Sequence, residues 1–511
     1  MGDGNQNPCP QHVRGIQSVI VGLLALSACT VGPDYTRPSA PVPAEYKEAG
    51  WKVGEPHDAI DRGAWWSIYK DPVLDDLQKQ IDISNQNLKA AAAAFEQAEW
   101  IVAQARAGFF PTFDLNASAQ RSRTGGGSIS STGAGRTGFL SSNFSTSVSA
   151  TWVPDLWGRI RRAVESDVAS AQASAADLAS ARLAAQGALA SDYLQLRLSD
   201  ELRRLLDSAA KYYAESLRIT RNQYQSGTSD QSAVSQAEAQ LEATQSQAIA
   251  TGVTRAQLEH AIAVLIGKPP AEFSIPPTEA IIAVPVLPPE MPSALLERRP
   301  DIAAAERLMA TANAQIGVAV AAFFPDITLS GNYGTSAVLL NRLVATSSRF
   351  WSFGSTLVQT VFDAGARSAQ VEEARAIFDQ DVANYRQTVL TAFQQVEDQL
   401  AALRILAQQA DVQDKAVAAA FEAERIINNQ YLAGTVAYTS VVVAQQTALA
   451  DAETAVNIRQ SRLVASTALI QALGGGWDAA QLPSRDRIED EAPLNFSPFP
   501  PPPRPSLTSA P

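Results

Sequence analysis

The chain is written twice. Phe109-Phe110-Pro111 returns as Phe323-Phe324-Pro325, 214 residues on, and Asn222-Gln223-Tyr224 with Gly227-Thr228 returns as Asn429-Gln430-Tyr431 with Gly434-Thr435, 207 residues on. Gly158 and Gly365, then Gly267 and Gly474, repeat the offset of 207. The extra residues of the first copy fall between Pro111 and Gly158, where the Gly/Ser tract Thr124 to Gly138 makes a natural loop. A period this long is a duplicated half-molecule rather than a solenoid repeat. Whatever one half builds, the molecule builds twice.

Each half runs in one order. A helical stretch (Asn85 to Gly108; Pro300 to Ala322) stops at the Phe-Phe-Pro marker, and two short alternating runs follow. Phe113, Leu115, Ala117 and Ala119 alternate with Thr112, Asp114, Asn116 and Ser118. Phe144, Thr146, Val148, Ala150 and Trp152 alternate with Asn143, Ser145, Ser147, Ser149 and Thr151. In the second copy Ile327, Leu329 and Tyr333 alternate with Asp326, Thr328, Ser330 and Asn332, while Trp351 to Phe362 alternates less cleanly. Period two over about ten residues marks a transmembrane β-strand or, equally on pattern alone, a water-soluble hairpin.

Very long helices come next. Gly365 to Tyr431 lacks proline and carries a seam of Val371, Ala374, Phe378, Val382, Tyr385, Val389, Phe393, Val396, Leu400 and Leu403, whose steps of three and four are those of a coiled coil. Gly158 to Tyr224 repeats this through Ile160, Val164, Val168, Ala171, Ala175 and Leu178. Each rod reaches about 100 Å at the helical rise. Gly227 and Gly434 suit reversals after a helix C-terminus, and shorter helices return to Gly267 and Gly474. A first short helix and a return helix, added together, match one rod, so the two are expected end to end beside it. The Pro-rich stretch Pro269 to Pro300 and the segment Asp71 to Ser84 would then lie beside that junction.

At the N-terminus, His12 and Arg14 precede the apolar run Val19 to Leu26, which closes on Ser27-Ala28-Cys29. The run is too short to span a bilayer and reads as a cleaved export signal. Leu26-Ser27-Ala28-Cys29 resembles the bacterial lipobox, making Cys29 the lipidated first residue; the alternative is an ordinary signal with a buried cysteine. Thr30, where an Asp would hold a lipoprotein at the inner membrane, favours the outer one. Several acyl chains would anchor stably where one would be marginal.

The layout is therefore a signal peptide (1–28), a lipid-anchored N-terminal and equatorial segment (29–84), a first repeat (85–299), a second (300–476) and a disordered Pro-rich tail (477–511). The first repeat holds strands near 112–122 and 143–154, a long helix over 158–226 and a return over 228–267. The second holds strands near 326–334 and 350–362, a long helix over 365–432 and a return over 435–473. The fold class is mainly α with a membrane β part. Four strands cannot close a membrane barrel, and an open edge in lipid leaves unpaired amides costing several kcal/mol each. Two copies would give eight strands around a filled interior; three give twelve around a water-filled bore, with the rods as staves of a periplasmic α-barrel. A homotrimeric conduit is expected.

Composition removes the rival chemistries. A formal charge of −12 gives no basic face for nucleic acid, and three His with two Cys cannot build a Cys/His metal site. Gly133-Ala134-Gly135-Arg136-Thr137-Gly138 matches a dinucleotide pattern but leads into a strand, not a helix. No phosphate loop, nucleophile elbow or paired catalytic carboxylate is evident, so no enzyme and no cofactor beyond the lipid on Cys29 is expected.

Val31-Gly32-Pro33-Asp34-Tyr35-Thr36-Arg37-Pro38, Trp65-Trp66 with Asp71-Pro72, and Arg298-Arg299-Pro300-Asp301-Ile302 running to Asn313, Ile316-Gly317-Val318 and Phe323-Phe324-Pro325 resemble the TolC-like outer-membrane efflux family, in its NodT-type lipoprotein branch. The resemblance covers Cys29 to about Trp477. It implies a homotrimer with a twelve-stranded barrel and a twelve-helix tunnel, lipid-anchored in the outer membrane and reaching into the periplasm. It also implies a periplasmic adaptor, an inner-membrane pump of the resistance-nodulation-division class, and export of drugs or small amphiphiles. Two rival readings share some features: a lipid-anchored adaptor, and a stalk-like coiled-coil lipoprotein without a pore.

One departure affects the gate. The family places acids shortly after the second hairpin glycine, but Gly434 is followed by Thr435, Val436, Ala437, Tyr438, Thr439, Ser440 and Val441-Val442-Val443. The gate candidates are therefore Asp230, Tyr438, Ser440 and Val443, with Asp230 as an anionic ring or simply a helix cap. Tyr224, Gly227, Thr228, Tyr431, Gly434 and Thr435 are the candidate adaptor contacts at the hairpin tips, the two tyrosines being alternatively packing residues.

Overall fold

The computed structural model describes residues 30–43, 47, 64–123, 140–285 and 295–501. The leader, Cys29, the Gly133 to Gly138 motif and the last ten residues lie outside them.

Two helices of equal length dominate: α3 (Arg159–Gln225) and α6 (Ala366–Leu432), 67 residues each. Each turns back into a 35-residue helix, α4 (Gln231–Leu265) and α7 (Tyr438–Ala472). Each is preceded by a 22-residue helix, α2 (Gln86–Ala107) and α5 (Pro300–Ala321), which follows α1 (Pro72–Ser84) in the first half. α2 and α4 both pack on α3, and α5 and α7 both pack on α6. The expected end-to-end stacking is present, and both junctions are built alike. Asn85 accepts from the Leu88 N–H (3.0 Å) to cap α2 and donates to the Leu265 carbonyl (2.7 Å) at the end of α4. Arg299, preceding α5, donates to the Ala472 carbonyl (2.9 Å) at the end of α7. The groups orphaned at one helix end are thus satisfied by the start of the next.

Glycine is required at both joints. A Cβ on Gly267 would lie 2.2 Å from the Ser84 carbonyl, and one on Gly474 would lie 2.0 Å from the Arg298 carbonyl. Beside the first joint sits the largest core, where Trp65, Leu74, Ile81, Tyr193, Leu194 and Ile262 are sealed from solvent. Tyr193 donates to Asp71 (2.7 Å) and receives Arg197 (2.9 Å), fixing α1 to the middle of α3.

The strands are β1 (Thr112–Arg123), β2 (Leu140–Trp152), β3 (Asp326–Ala337) and β4 (Arg349–Val358), in one antiparallel sheet of order β1-β2-β3-β4. β3 runs three residues past its expected end, and β4 stops four short of Phe362. The Phe-Phe-Pro markers are the helix-to-strand joints. The Phe109 carbonyl accepts from the Trp152 indole (3.0 Å) and the Phe323 carbonyl from the Gln359 amide (3.0 Å), at symmetry-related positions with different side chains.

The described part of the tail, 477–501, departs from the expectation of disorder. From Trp477 the chain runs back along α2, and α8 (Arg485–Glu491) docks there through Ile488, which is buried against Val102, Val164 and Val168. Arg106 pairs with Glu489 (3.2 Å), and Phe496 meets Phe110 edge-on at 5.5 Å. A short apolar anchor and one ion pair hold a segment whose charge and prolines signalled solvation.

Under α8 the Glu99 carboxyl is buried and bonded to Glu491, close to Glu96, and these push its pKa up to about 7. Arg487, bonded to Glu491, holds the Glu491 carboxylate below its ordinary value. Between the ordinary 4.5 and about 7 the docked form retains a proton that a detached tail releases, so attachment weakens as pH rises through that window. Amide exchange over 485–496 should be about tenfold or more faster at pH 8 than at pH 5.5 after correction for intrinsic rates. Glu99→Gln should abolish the difference.

Candidate functional site

Register sorts every strand residue onto one of two faces. Leu115 opposes Val148, Val148 opposes Tyr333, and Tyr333 opposes Trp351. The next row is Phe113, Ala150, Gly331 and Phe353. The other face carries Asp114, Ser149, Asn332 and Ser352, then Thr112, Thr151, Ser330 and Gly354. β4, whose alternation is weak in isolation, places Trp351, Phe353 and Leu357 on the apolar face once aligned with β3. These side chains are open in the single chain: Leu115 is 75% exposed, Trp351 77% and Phe353 75%. An apolar face of this breadth needs a nonaqueous neighbour. At 10 to 13 residues, each strand is long enough to cross a hydrocarbon layer at a tilt. The polar face holds its own hydrogen bonds, Ser118 to Ser145 (2.7 Å) and Asn116 to Ser149 (3.2 Å). β1 and β4 are the outer strands, each with one unpaired edge in the single chain. No described helix is long and apolar enough to cross a membrane.

The N-terminal segment is tied to the foot of this sheet. Thr30 lies against Gly158, where a Cβ would come within 2.8 Å of its methyl, and the Val31 N–H donates to the Trp157 carbonyl (3.2 Å). Gly32, at φ +99°, crosses α5 at Gly317 so closely that a Cβ would fall 2.5 Å from its Cα. Arg162 grips Asp34 (2.9 Å), and Tyr35 donates to Glu306 (2.6 Å). The Arg37 guanidinium reaches the Tyr385 hydroxyl (3.1 Å). The whole Val31 to Arg37 motif is a strap over α3, α5 and α6.

At the far end the two reversals are superposable in their bonding. Thr228 N–H reaches the Gln223 carbonyl (2.9 Å) and Gly227 N–H the Tyr224 carbonyl (3.0 Å). Thr435 N–H reaches Gln430 (3.0 Å) and Gly434 N–H reaches Tyr431 (2.9 Å). These are Schellman turns, with Gly227 at φ +76° and Gly434 at φ +75° in the left-handed region. The threonine hydroxyls bond back to the same carbonyls, at 3.0 and 2.9 Å.

Of the gate candidates, Ser440 and Val443 line one groove of the single chain. Asp230 caps α4, accepting from the Ala233 N–H (2.9 Å) and the Ser232 hydroxyl, which hold its pKa below the ordinary value. It remains exposed, so cap and charge coexist. Ser440 is half-buried, and Val443 is 63% exposed in a groove with Ile427 and Thr447. Tyr438 departs from the expectation of a pore-facing side chain. It is buried against Tyr431, with ring centres 5.1 Å apart, and its hydroxyl meets Ser216 (3.2 Å). Tyr431 is buried as well and donates to Gln223, whereas Tyr224 stays exposed. Two tyrosines of the second hairpin thus clamp it to the end of α3. The clamp was readable only as a break in the repeat, since Gln231 stands where Tyr438 would be mirrored.

Residues 77–268 and 291–475 match the outer membrane efflux protein family. The chain belongs to that family. It is an outer-membrane efflux channel protein, mainly helical, with the sheet as its membrane part. The toluene efflux pump outer membrane protein TtgC of Pseudomonas putida is 29% identical over 469 residues, 91% of this chain and 96% of that protein. The cation efflux system protein CusC of Escherichia coli is 29% identical over 458 residues, 89% of this chain and 97% of that protein. The solved outer-membrane channel OprN superposes with a TM-score of 0.79 at 27% identity, covering 88% of this chain and 100% of that one.

Two substitutions test the site as this efflux protein presents it. Val148→Lys, on the apolar face, should cost about 2–4 kcal/mol near the bilayer midplane and lower the yield of membrane-inserted protein, while Ser147→Lys on the polar face should insert normally. Tyr438→Ala should cost about 3 kcal/mol of packing and speed amide exchange at both hairpin tips, 216–232 and 427–440, with Tyr438→Phe losing about 1 kcal/mol.

Proposed function

We propose that three copies close one twelve-stranded barrel, β4 of each pairing with β1 of the next, above a tunnel walled by the long helices and the stacked shorter ones of all three chains. The observation that carries this is the four-stranded sheet, apolar on one face and bordered by two open edges. Closure satisfies those edges, and twelve strands leave a bore lined by the Ser, Thr and Asn of the polar face. The duct is passive. It takes cargo from a periplasmic adaptor and an inner-membrane pump of the resistance-nodulation-division class, docked at tips that present Tyr224, Gly227, Thr228, Gly434 and Thr435. The cargo class is drugs and small amphiphiles; the toluene named for TtgC is likewise a small organic molecule.

The lipid on Cys29 completes the anchor. Thr30, at the foot of the sheet beside Gly158, supports this. Asp230 contributes an exposed, ionised carboxylate near the mouth, repeated three times around the axis.

The assembled protein in planar bilayers should give stepwise ionic conductance with cation preference. Asp230→Asn, which keeps a good helix cap and removes the charge, should reduce that preference without altering assembly. No conductance from inserted protein contradicts the duct, and unchanged selectivity contradicts the role of Asp230 alone.

A further inference from the structure

Between α3, α6 and α7, close to the tips, lies a cavity of about 390 Å³ that the duct reading does not use. Tyr212, Tyr213, Phe421 and Leu449 give it aromatic and aliphatic walls, and Arg425, Asn428 and Asn429 line its rim. Two of its polar lining residues, Gln445 and Glu424, are buried. Gln445 is sealed from solvent, and both its amide nitrogen and its amide oxygen lack a partner. Buried amides almost always have partners, so one with both ends open marks a place where something else supplies them. Glu424 is 8% exposed and, among the described residues, forms no ion pair; burial raises its pKa. Its neighbour Arg425 is engaged with Glu422 (2.7 Å). The Tyr213 hydroxyl is committed to the Gln445 backbone carbonyl (3.1 Å), which leaves its ring, tilted 57° to that of Tyr212, as a π surface.

We infer that this cavity binds a small aromatic cation, its charge on Glu424, its ring system against Tyr212, Tyr213 and Phe421, and a polar substituent on the Gln445 amide. The chemistry is specific in sign. A carboxylate removed from water gains from a cation and loses from an anion, and the tyrosine faces add in the same direction. With Glu424 the one carboxylate among its described lining residues, the cavity suits a metal ion poorly, because such an ion seeks several oxygens. The site lies between elements of the two half-molecules, so a guest ties α3 to α6 and resists their separation.

Ethidium is the probe, with uncharged phenanthridine as its neutral ring counterpart, both titrated by fluorescence against the assembled full-length protein in detergent. Saturable binding of one ethidium per protomer is expected, weakened about tenfold or more by the isosteric Glu424→Gln. Phenanthridine should bind weakly and equally to both. Gln445→Leu, which replaces the open amide with an apolar group, should also weaken ethidium binding while leaving thermal stability intact or raised. Bilayer conductance of Glu424→Gln should equal that of the parent protein, which separates this site from the lumen. Equal ethidium affinity in parent and Glu424→Gln, or phenanthridine binding as tightly as ethidium, overturns the inference. So does binding to dissociated chains that vanishes on assembly, which would give the cavity to a neighbouring copy.

Discussion

An amide in hydrocarbon without a partner costs several kcal/mol, and a four-stranded sheet standing in lipid carries two rows of them. Every larger feature of this molecule answers that constraint. Among the described residues nothing covers the outer edges of β1 and β4 or the Leu115, Trp351 and Phe353 face. The solution is to share the barrel between copies. The helical part must then hold each copy's four strands in a fixed register relative to its neighbours over a length of about 100 Å.

Duplication supplies that rigidity. In each half a continuous helix runs beside two shorter ones joined end to end, and Asn85 and Arg299 do the same task at the two joints through different chemistry. The joints admit only glycine on the opposing stretch of chain, because any Cβ added to Gly267 or Gly474 would collide with a carbonyl. The strap from Thr30 to Arg37 and the docked α8 bind along the outside of these stacks. The foot of the sheet, the equator and both described chain ends therefore form one mechanical unit.

Much of this was legible in the sequence, for identifiable reasons. The Phe-Phe-Pro stops, the Gly-Thr reversals and the coiled-coil seams are local signals repeated twice, so each copy corroborates the other. What escaped was nonlocal or broke the repeat. β4 looked irregular because Ser355 falls among its apolar positions and Phe350 and Val358 among its polar ones, and only pairing with β3 assigns its faces. The tail looked solvated because α8 is seven residues long and buries one apolar side chain, Ile488, too little for any period to show. Tyr438 looked like a pore residue because nothing in its neighbourhood announces Ser216 or Tyr431, which reach it from 222 residues away and from across a turn. The Glu99 and Glu491 contact, and the Glu424 and Gln445 cavity, exist only once distant helices meet.

The most direct test is the mass of the detergent-extracted particle by native mass spectrometry. Three chains per particle, resistant to dilution, is the outcome required by edges that no single copy can pair. A folded one-chain particle whose β1 and β4 amides exchange freely with water would show that these strands never needed sisters, and the shared barrel would be contradicted at its root.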